Sequence, residues 1–260
     1  MRFALKNKMK EKRGQVTIFI IIGILIIVAG VLIYFLFPGI NEDISSETQN
    51  PERYIQQCLV ETLQENTNKI ISQGGSIEPE HYIMYQGEKI EYLCYTEEYY
   101  KTCVVQQPML KNHIEQEIKE SIQEKADSCF NEMENSFEER GYEVNLRKKD
   151  MDVHIVPEKT FIEFNHSLTL EKETTQNYGG FRVVMNNNLY ELIFIAMSII
   201  DWETSYGDAE TTIYMDYYRD IKVEKKKQSD GSTIYILSDR NDGTKLQFAS
   251  RSIPWPPGYA

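Results

Sequence analysis

The chain is short of the residues from which active sites are usually recognised. Its 260 residues include only four histidines, four cysteines and two tryptophans. The histidines, His81, His113, His154 and His166, form neither H-x-x-x-H nor H-E-x-x-H, which removes the helical zinc-protease pattern. There is no G-x-S-x-G nucleophile elbow and no G-x-x-x-x-G-K-[ST] phosphate loop. Cys58, Cys94, Cys103 and Cys129 contain no closely spaced C-x-x-C-type pair, so structural zinc lacks its ligand spacing. No catalytic residue, cofactor or metal is expected from these patterns.

Basic residues are outnumbered by acidic ones beyond the first fourteen residues. Residues 1–14 carry six Lys/Arg against Glu11 alone, a local charge of +5 in a chain of net charge -12, so the remainder carries -17. A nucleic-acid binder needs a basic face over its folded part, and nucleic acid is therefore not an expected partner. Aromatic residues, by contrast, make up 12 % of the chain and include 17 tyrosines, which is too much apolar surface for a disordered ectodomain.

Long hydrophobic runs are absent except for one. Gln15 to Phe37 carries no charge, and 17 of its residues are Val, Ile, Leu or Phe. As a helix it would span roughly 35 Å, enough to cross a hydrocarbon core about 30 Å thick with some tilt. Pro38-Gly39 ends the run, and Glu42, Asp43 and Glu47 follow it. With the basic residues before the span and the acidic ones after it, the positive-inside rule puts residues 1–14 in the cytoplasm and the rest outside. The lipid bilayer is thus an expected partner through residues 15–37. Ordinary signal-peptidase cleavage is not expected, because the apolar region is too long and no A-x-A-like site follows it.

The stretch Lys12-Arg13-Gly14-Gln15-Val16-Thr17-Ile18-Phe19, running straight into this apolar helix, resembles a class III (prepilin-type) signal peptide, in particular those of small archaeal surface proteins. The resemblance implies cleavage between Gly14 and Gln15, with the helix kept as an anchor or filament core. It departs from the bacterial pilin pattern at Phe19, where that pattern has glutamate. A plain signal anchor with a basic cytoplasmic flank is the alternative.

Residues 38–50 read as a polar linker. Asn50-Pro51 is a helix start, and Tyr54, Ile55, Cys58, Leu59, Leu63, Ile70 and Ile71 form an apolar face that ends at Gly74-Gly75. A second helix is expected from Pro108, with Leu110, Ile114, Ile118, Ile122, Ala126, Cys129, Phe130, Met133 and Phe137 recurring every three or four residues. Between the helices, Gln86-Gly87 suggests a turn between two strands. These features make 51–141 a helical and hairpin region. Residues 142–260 read as mainly β, with strands at Tyr142–Leu146, Val153–Val156, Phe161–Leu170, Phe181–Met185, Thr212–Tyr218, Ile221–Lys225, Thr233–Leu237 and Leu246–Ala249. One helix, Leu189–Trp202, interrupts them. The expected class is α+β.

Outside the cytoplasm an even number of cysteines reads as disulfides. Of the three possible pairings, Cys58–Cys129 joins two apolar helix stripes and Cys94–Cys103 closes a local loop. That loop carries the residues chosen for binding, Tyr95, Tyr99 and Tyr100, because a disulfide would pre-order rings that give large contact area at low entropic cost. The alternative is that these rings pack on the second helix. Glu115, Glu117, Glu120 and Glu124 are expected to form a solvated helix face, and Asp239, Asn241 and Asp242 before Gly243 a turn. Asn165-His166-Ser167 is an N-glycosylation sequon inside an expected strand.

These features point to a membrane-anchored extracytoplasmic protein that binds a protein partner or assembles with like subunits, without catalysis. A pilin-like minor subunit and an anchored hydrolase with an unrecognised site are the alternatives.

Overall fold

The computed structural model describes residues 20–28 and 50–254. The chain divides at Asn50 into two units. In the first, residues 20–28 are helical. No helix among the described residues is long and apolar enough to cross a membrane. The rest of the 15–37 span, the Gly14–Gln15 bond and the linker up to residue 49 lie outside the described residues.

The second unit is a mixed α+β domain with two disulfides. Helix α1 (Pro51–Ser72) buries Ile55, Leu59, Leu63, Ile70 and Ile71. The hairpin β1 (Tyr82–Tyr85) and β2 (Glu88–Tyr95) follows, then the short β3 (Val104–Val105). Helix α2 (Leu110–Glu139) buries the whole apolar series read from the sequence, Leu110 to Phe137. α1 and α2 pack along each other and are joined by Cys58–Cys129, with Cα atoms 6.0 Å apart. Cys94–Cys103 joins the end of β2 to the residue before β3, with Cα atoms 5.3 Å apart.

The remaining elements are β4 (Glu143–Arg147), β5 (Met151–Val156), β6 (Lys159–Phe164), β7 (Ser167–Glu171), β8 (Thr175–Tyr178), β9 (Phe181–Asn186), helices α3 (Leu189–Tyr206) and α4 (Thr212–Tyr217), β10 (Ile221–Lys227), β11 (Ser232–Asp239) and β12 (Lys245–Arg251). They form three sheets: β1-β2-β12-β11-β10 with β3 on β2, β4-β7-β8, and β5-β6-β9. In the large sheet β12 runs parallel to β2, pairing Ala249 with Tyr92, so the 51–141 and 142–260 regions share one sheet. α3 packs on β11, β12 and β2.

A helix side chain bonds to each outer edge of the β5-β6-β9 sheet. The Gln56 carboxamide of α1 pairs with Val184 on β9 as a strand would, donating to its carbonyl at 3.0 Å and accepting its N–H at 2.8 Å. At the other edge, Glu115 of α2 accepts the Ile155 N–H at 2.8 Å. Unpaired strand edges template aggregation, and these two contacts blunt them. Glu115 is thus not part of a solvated face, and neither is Glu117, which accepts the Ile77 N–H at 2.8 Å.

Two expected strands differ. Residues 212–217 are helical because Tyr214, Met215 and Tyr218 meet the core with helical spacing while Ile213 and Tyr217 face out. The β-branched and aromatic content suggested a strand, but burial on one side of a helix decided the outcome. Phe161–Leu170 is two strands, broken at Asn165-His166, where the chain passes from one sheet to another.

Loop-closure entropy makes the two disulfides unequal. The 71-residue separation of Cys58–Cys129 predicts about 4 kcal/mol of stabilisation, against about 3 kcal/mol for Cys94–Cys103, separated by nine. Denaturant titration of the two double-Ala variants should therefore rank C58A/C129A as the less stable. Non-reducing peptide mapping should recover these two pairs; any other pairing, or free thiols, would contradict the arrangement.

Candidate binding cleft

The C-terminal end of α3 carries a carboxylate where its apolar stripe calls for a hydrophobe. Ile199, Ile200 and Glu203 share the buried face, and Glu203 is 2 % exposed. Its Oε1 accepts the Tyr235 hydroxyl of β11 and the Ala209 N–H, the latter at 3.1 Å. Its Oε2 accepts the Ser250 hydroxyl of β12 at 3.0 Å. Its backbone carbonyl accepts the Gly207 N–H at 2.9 Å and the Ser252 hydroxyl at 3.2 Å. One buried residue therefore fixes the helix end, two strands and the chain leaving the last strand.

Burial pushes the Glu203 carboxyl above the usual carboxylate range, against the lowering pull of hydrogen bonds from Tyr235, Ala209 and Ser250 and of the Lys225 charge. Burial, followed by the Glu203 charge, raises the Tyr235 phenol far above its ordinary value, so it remains a donor.

Above this network lies a cleft of about 390 Å³. Its walls come from four separate segments: Tyr99 in the disulfide loop, Gly207 and Asp208 after α3, residues 227–233 at the β10–β11 turn, and residues 252–254. Gly207 caps α3 with φ +81°, and a Cβ there would meet Pro254 Cγ at 2.0 Å, so glycine is required twice over.

The disulfide loop is stitched to the last strand. Thr96 N–H donates to the Arg251 carbonyl at 3.0 Å, Ile253 N–H to the Lys101 carbonyl at 3.1 Å, and Cys103 N–H to Ser252 Oγ at 3.1 Å. The Arg251 guanidinium links two walls, donating to the Thr96 carbonyl and, at 3.2 Å, to the Asp230 carbonyl.

The three tyrosines chosen from the sequence separate in space. Tyr99, 64 % exposed, lines the cleft. Tyr100 sits beside it with φ +63°, exposed but not among the lining residues. Tyr95 belongs to an aromatic cluster, its ring 4.2 Å from His81 and 4.9 Å from Tyr92, with Arg251 at 5.8 Å. The sequence reading missed Glu203, Asp208, Asp230 and Arg251; an acid on an apolar helix stripe was the one signal available.

Other polar clusters serve the fold. Ser76 Oγ donates to Glu91 at 2.6 Å and lies 2.8 Å from His113 Nε2. The Ser76 hydroxyl thus lies between the Glu91 carboxyl and the His113 ring. A nucleophilic triad has a different order, with histidine between the serine and the acid. Asp239 accepts the N–H of Asn241 at 2.6 Å and of Asp242 at 3.4 Å, confirming a turn, and binds the Asn188 carboxamide at 2.7 Å beside the start of α3. Among the described residues no group of three or more His, Cys, Asp or Glu is placed to hold a metal ion. Asn165 of the sequon is exposed in the link between two sheets rather than within a strand. No family model, curated protein or solved structure matches the chain.

A raised carboxylate pKa reverses the usual acid dependence. With the folded value above the unfolded value near 4.5, the folded state binds the proton more tightly, so the Glu203 contribution is most favourable below the unfolded value. That stability is lost as pH rises through the folded value. Glu203→Gln, which keeps an acceptor for Tyr235, should flatten the fall in Tm as pH rises above the unfolded value near 4.5. Glu203→Ala should cost about 2–4 kcal/mol by leaving three donors unpaired. An unchanged pH slope in the Gln variant would contradict the assignment.

Proposed function

We propose that this chain is a membrane-anchored extracytoplasmic binding or surface-assembly protein without catalytic activity, and that the cleft beside the Cys94–Cys103 loop is where its ligand sits. The observation that carries this reading is Tyr99, held by a short disulfide loop at the wall of the cleft. Preorganisation of this kind lowers the entropic cost of binding. The two disulfides fit an oxidising compartment, and the uncharged Gln15–Phe37 run supports the anchor. A non-catalytic role fits Glu203, whose two oxygens already accept protein donors and which does not line the cleft.

Assembly with like subunits has separate support in the outer face of α3. Phe194, Met197, Trp202 and Tyr206 are exposed there, with Tyr190–Phe194 and Trp202–Tyr206 ring pairs at 4.7 and 4.8 Å. Exposed apolar faces of this kind mark interaction surfaces.

Photo-crosslinking in native membranes tests both. A photoreactive residue replacing Tyr99 should give a specific adduct that disappears in a Ser229→Trp background, where the cleft is filled. One replacing Phe194 should capture a second copy of the chain. Absence of any Tyr99 adduct would overturn the cleft as the binding site. Intact mass of the same preparation reports the N-terminus: loss of residues 1–14 favours the pilin-like reading, and full length the plain anchor.

A further inference from the structure

Resting on that reading of the cleft, we propose that its ligand is a neutral saccharide. The charged side chains at the cleft already have polar partners within the protein. Asp208 pairs with Lys225 through Oδ1 and lies 3.4 Å from Lys227 through Oδ2. The Asp230 carboxylate is held by Ser232, accepting its N–H at 2.9 Å and its hydroxyl at 3.0 Å. The nearby guanidinium, Arg251, donates to two backbone carbonyls. An anionic ligand would find only Lys227, beside Asp208, and a cationic one would have to compete with bonds already made. A charged ligand therefore gains little here, and a neutral polar one loses nothing.

What remains open in the cleft is hydroxyl and amide chemistry beside apolar surface. The side-chain hydroxyls of Ser229 and Thr233 have no hydrogen-bond partner among the described residues. The Gln228 carboxamide donates to the Lys226 carbonyl at 2.9 Å and keeps its oxygen available. The same cleft is lined by the exposed Tyr99 and by Ile253 and Pro254. A sugar ring has the complementary form: a C–H face that packs on an aromatic ring, and hydroxyl edges that both donate and accept. The volume of about 390 Å³ suits a short saccharide, at the lower end of the range for small-molecule sites.

A peptide strand fits less well, because strand addition needs a row of unpaired backbone groups. The hairpin end facing the cleft is closed on itself. Gln228 N–H donates to Ser232 at 2.7 Å and Gly231 N–H to Gln228 at 3.3 Å, while Arg251 takes the Asp230 carbonyl.

The test is calorimetric titration of the full chain in lipid nanodiscs free of glycoside detergent. The probes are maltohexaose, cellohexaose, chitohexaose and mannohexaose, with hexagalacturonate and the glucosamine hexamer as anionic and cationic counterparts. At least one neutral hexasaccharide should bind. Its affinity should fall about tenfold in Tyr99→Ala, be largely kept in Tyr99→Phe, and fall several-fold in the Ser229→Ala/Thr233→Val pair. Raising salt from about 0.05 to about 0.5 M should leave it unchanged. Binding only by a charged hexamer, neutral binding indifferent to Tyr99→Ala, or no binding by any neutral probe would overturn the proposal. The Tyr99 photo-adduct separates the two levels: a protein or lipid adduct refutes the saccharide while leaving the cleft as the binding site.

Discussion

Much of this domain depends on one buried carboxylate. Glu203 sits where α3 ends and accepts hydrogen bonds from β11, from β12 and from the segment after the helix, while its backbone carbonyl holds Ser252. An uncompensated carboxylate in an apolar interior would cost several kcal/mol. Three donors to its side chain offset that cost and in return fix the relative positions of four segments. The effect extends outward. Ser250, which donates to Glu203, lies 3.7 Å from Cys103 Sγ, and Ser252 accepts the Cys103 N–H. The disulfide loop and the buried acid are thus joined through two serines of one strand end, and the cleft stands on that joint.

The rest of the domain follows a second constraint, the need to close sheets that share no continuous ladder. Three sheets present several edges, and helices cover some of them with side chains rather than backbone. Gln56 and Glu115 act in this way at opposite edges of one sheet, and α1 and α2, which carry them, are held together by Cys58–Cys129. The staple therefore stabilises more than a helix pair, because it also positions the groups that finish the sheet between them.

How much of this was legible in the sequence depended on distance along the chain. The helices could be read because Ile114, Ile118 and Ile122 repeat at helical spacing, and the cysteine pairing because Cys58 and Cys129 share such stripes. The α+β class followed from the mix of periods. The parallel pairing of β2 with β12 left no local trace, since Tyr92 and Ala249 meet only through the tertiary fold. The cleft was equally hidden, being built from residue 99, residues 207–208, the 227–233 turn and residues 252–254 after the last strand. Of the loop tyrosines, Tyr99 reached it because the Lys101–Ile253 bridge ties that loop to the chain end, whereas Tyr95 turned toward His81 and Tyr92. Residues 212–217 misled because their composition favours a strand, while tertiary burial selected a helix.

That the cleft walls behave as one pre-organised unit is most directly tested by native-state hydrogen exchange on the Cys94→Ser/Cys103→Ser variant. The expected result is loss of amide protection at Thr96, at position 103 and at Ile253 that spreads to Gln228 and Gly231 in the other wall, with α1 and α2 unchanged. Protection retained at Gln228, Gly231 and Ile253 would mean that the walls are independent and that the disulfide loop does not organise the cleft.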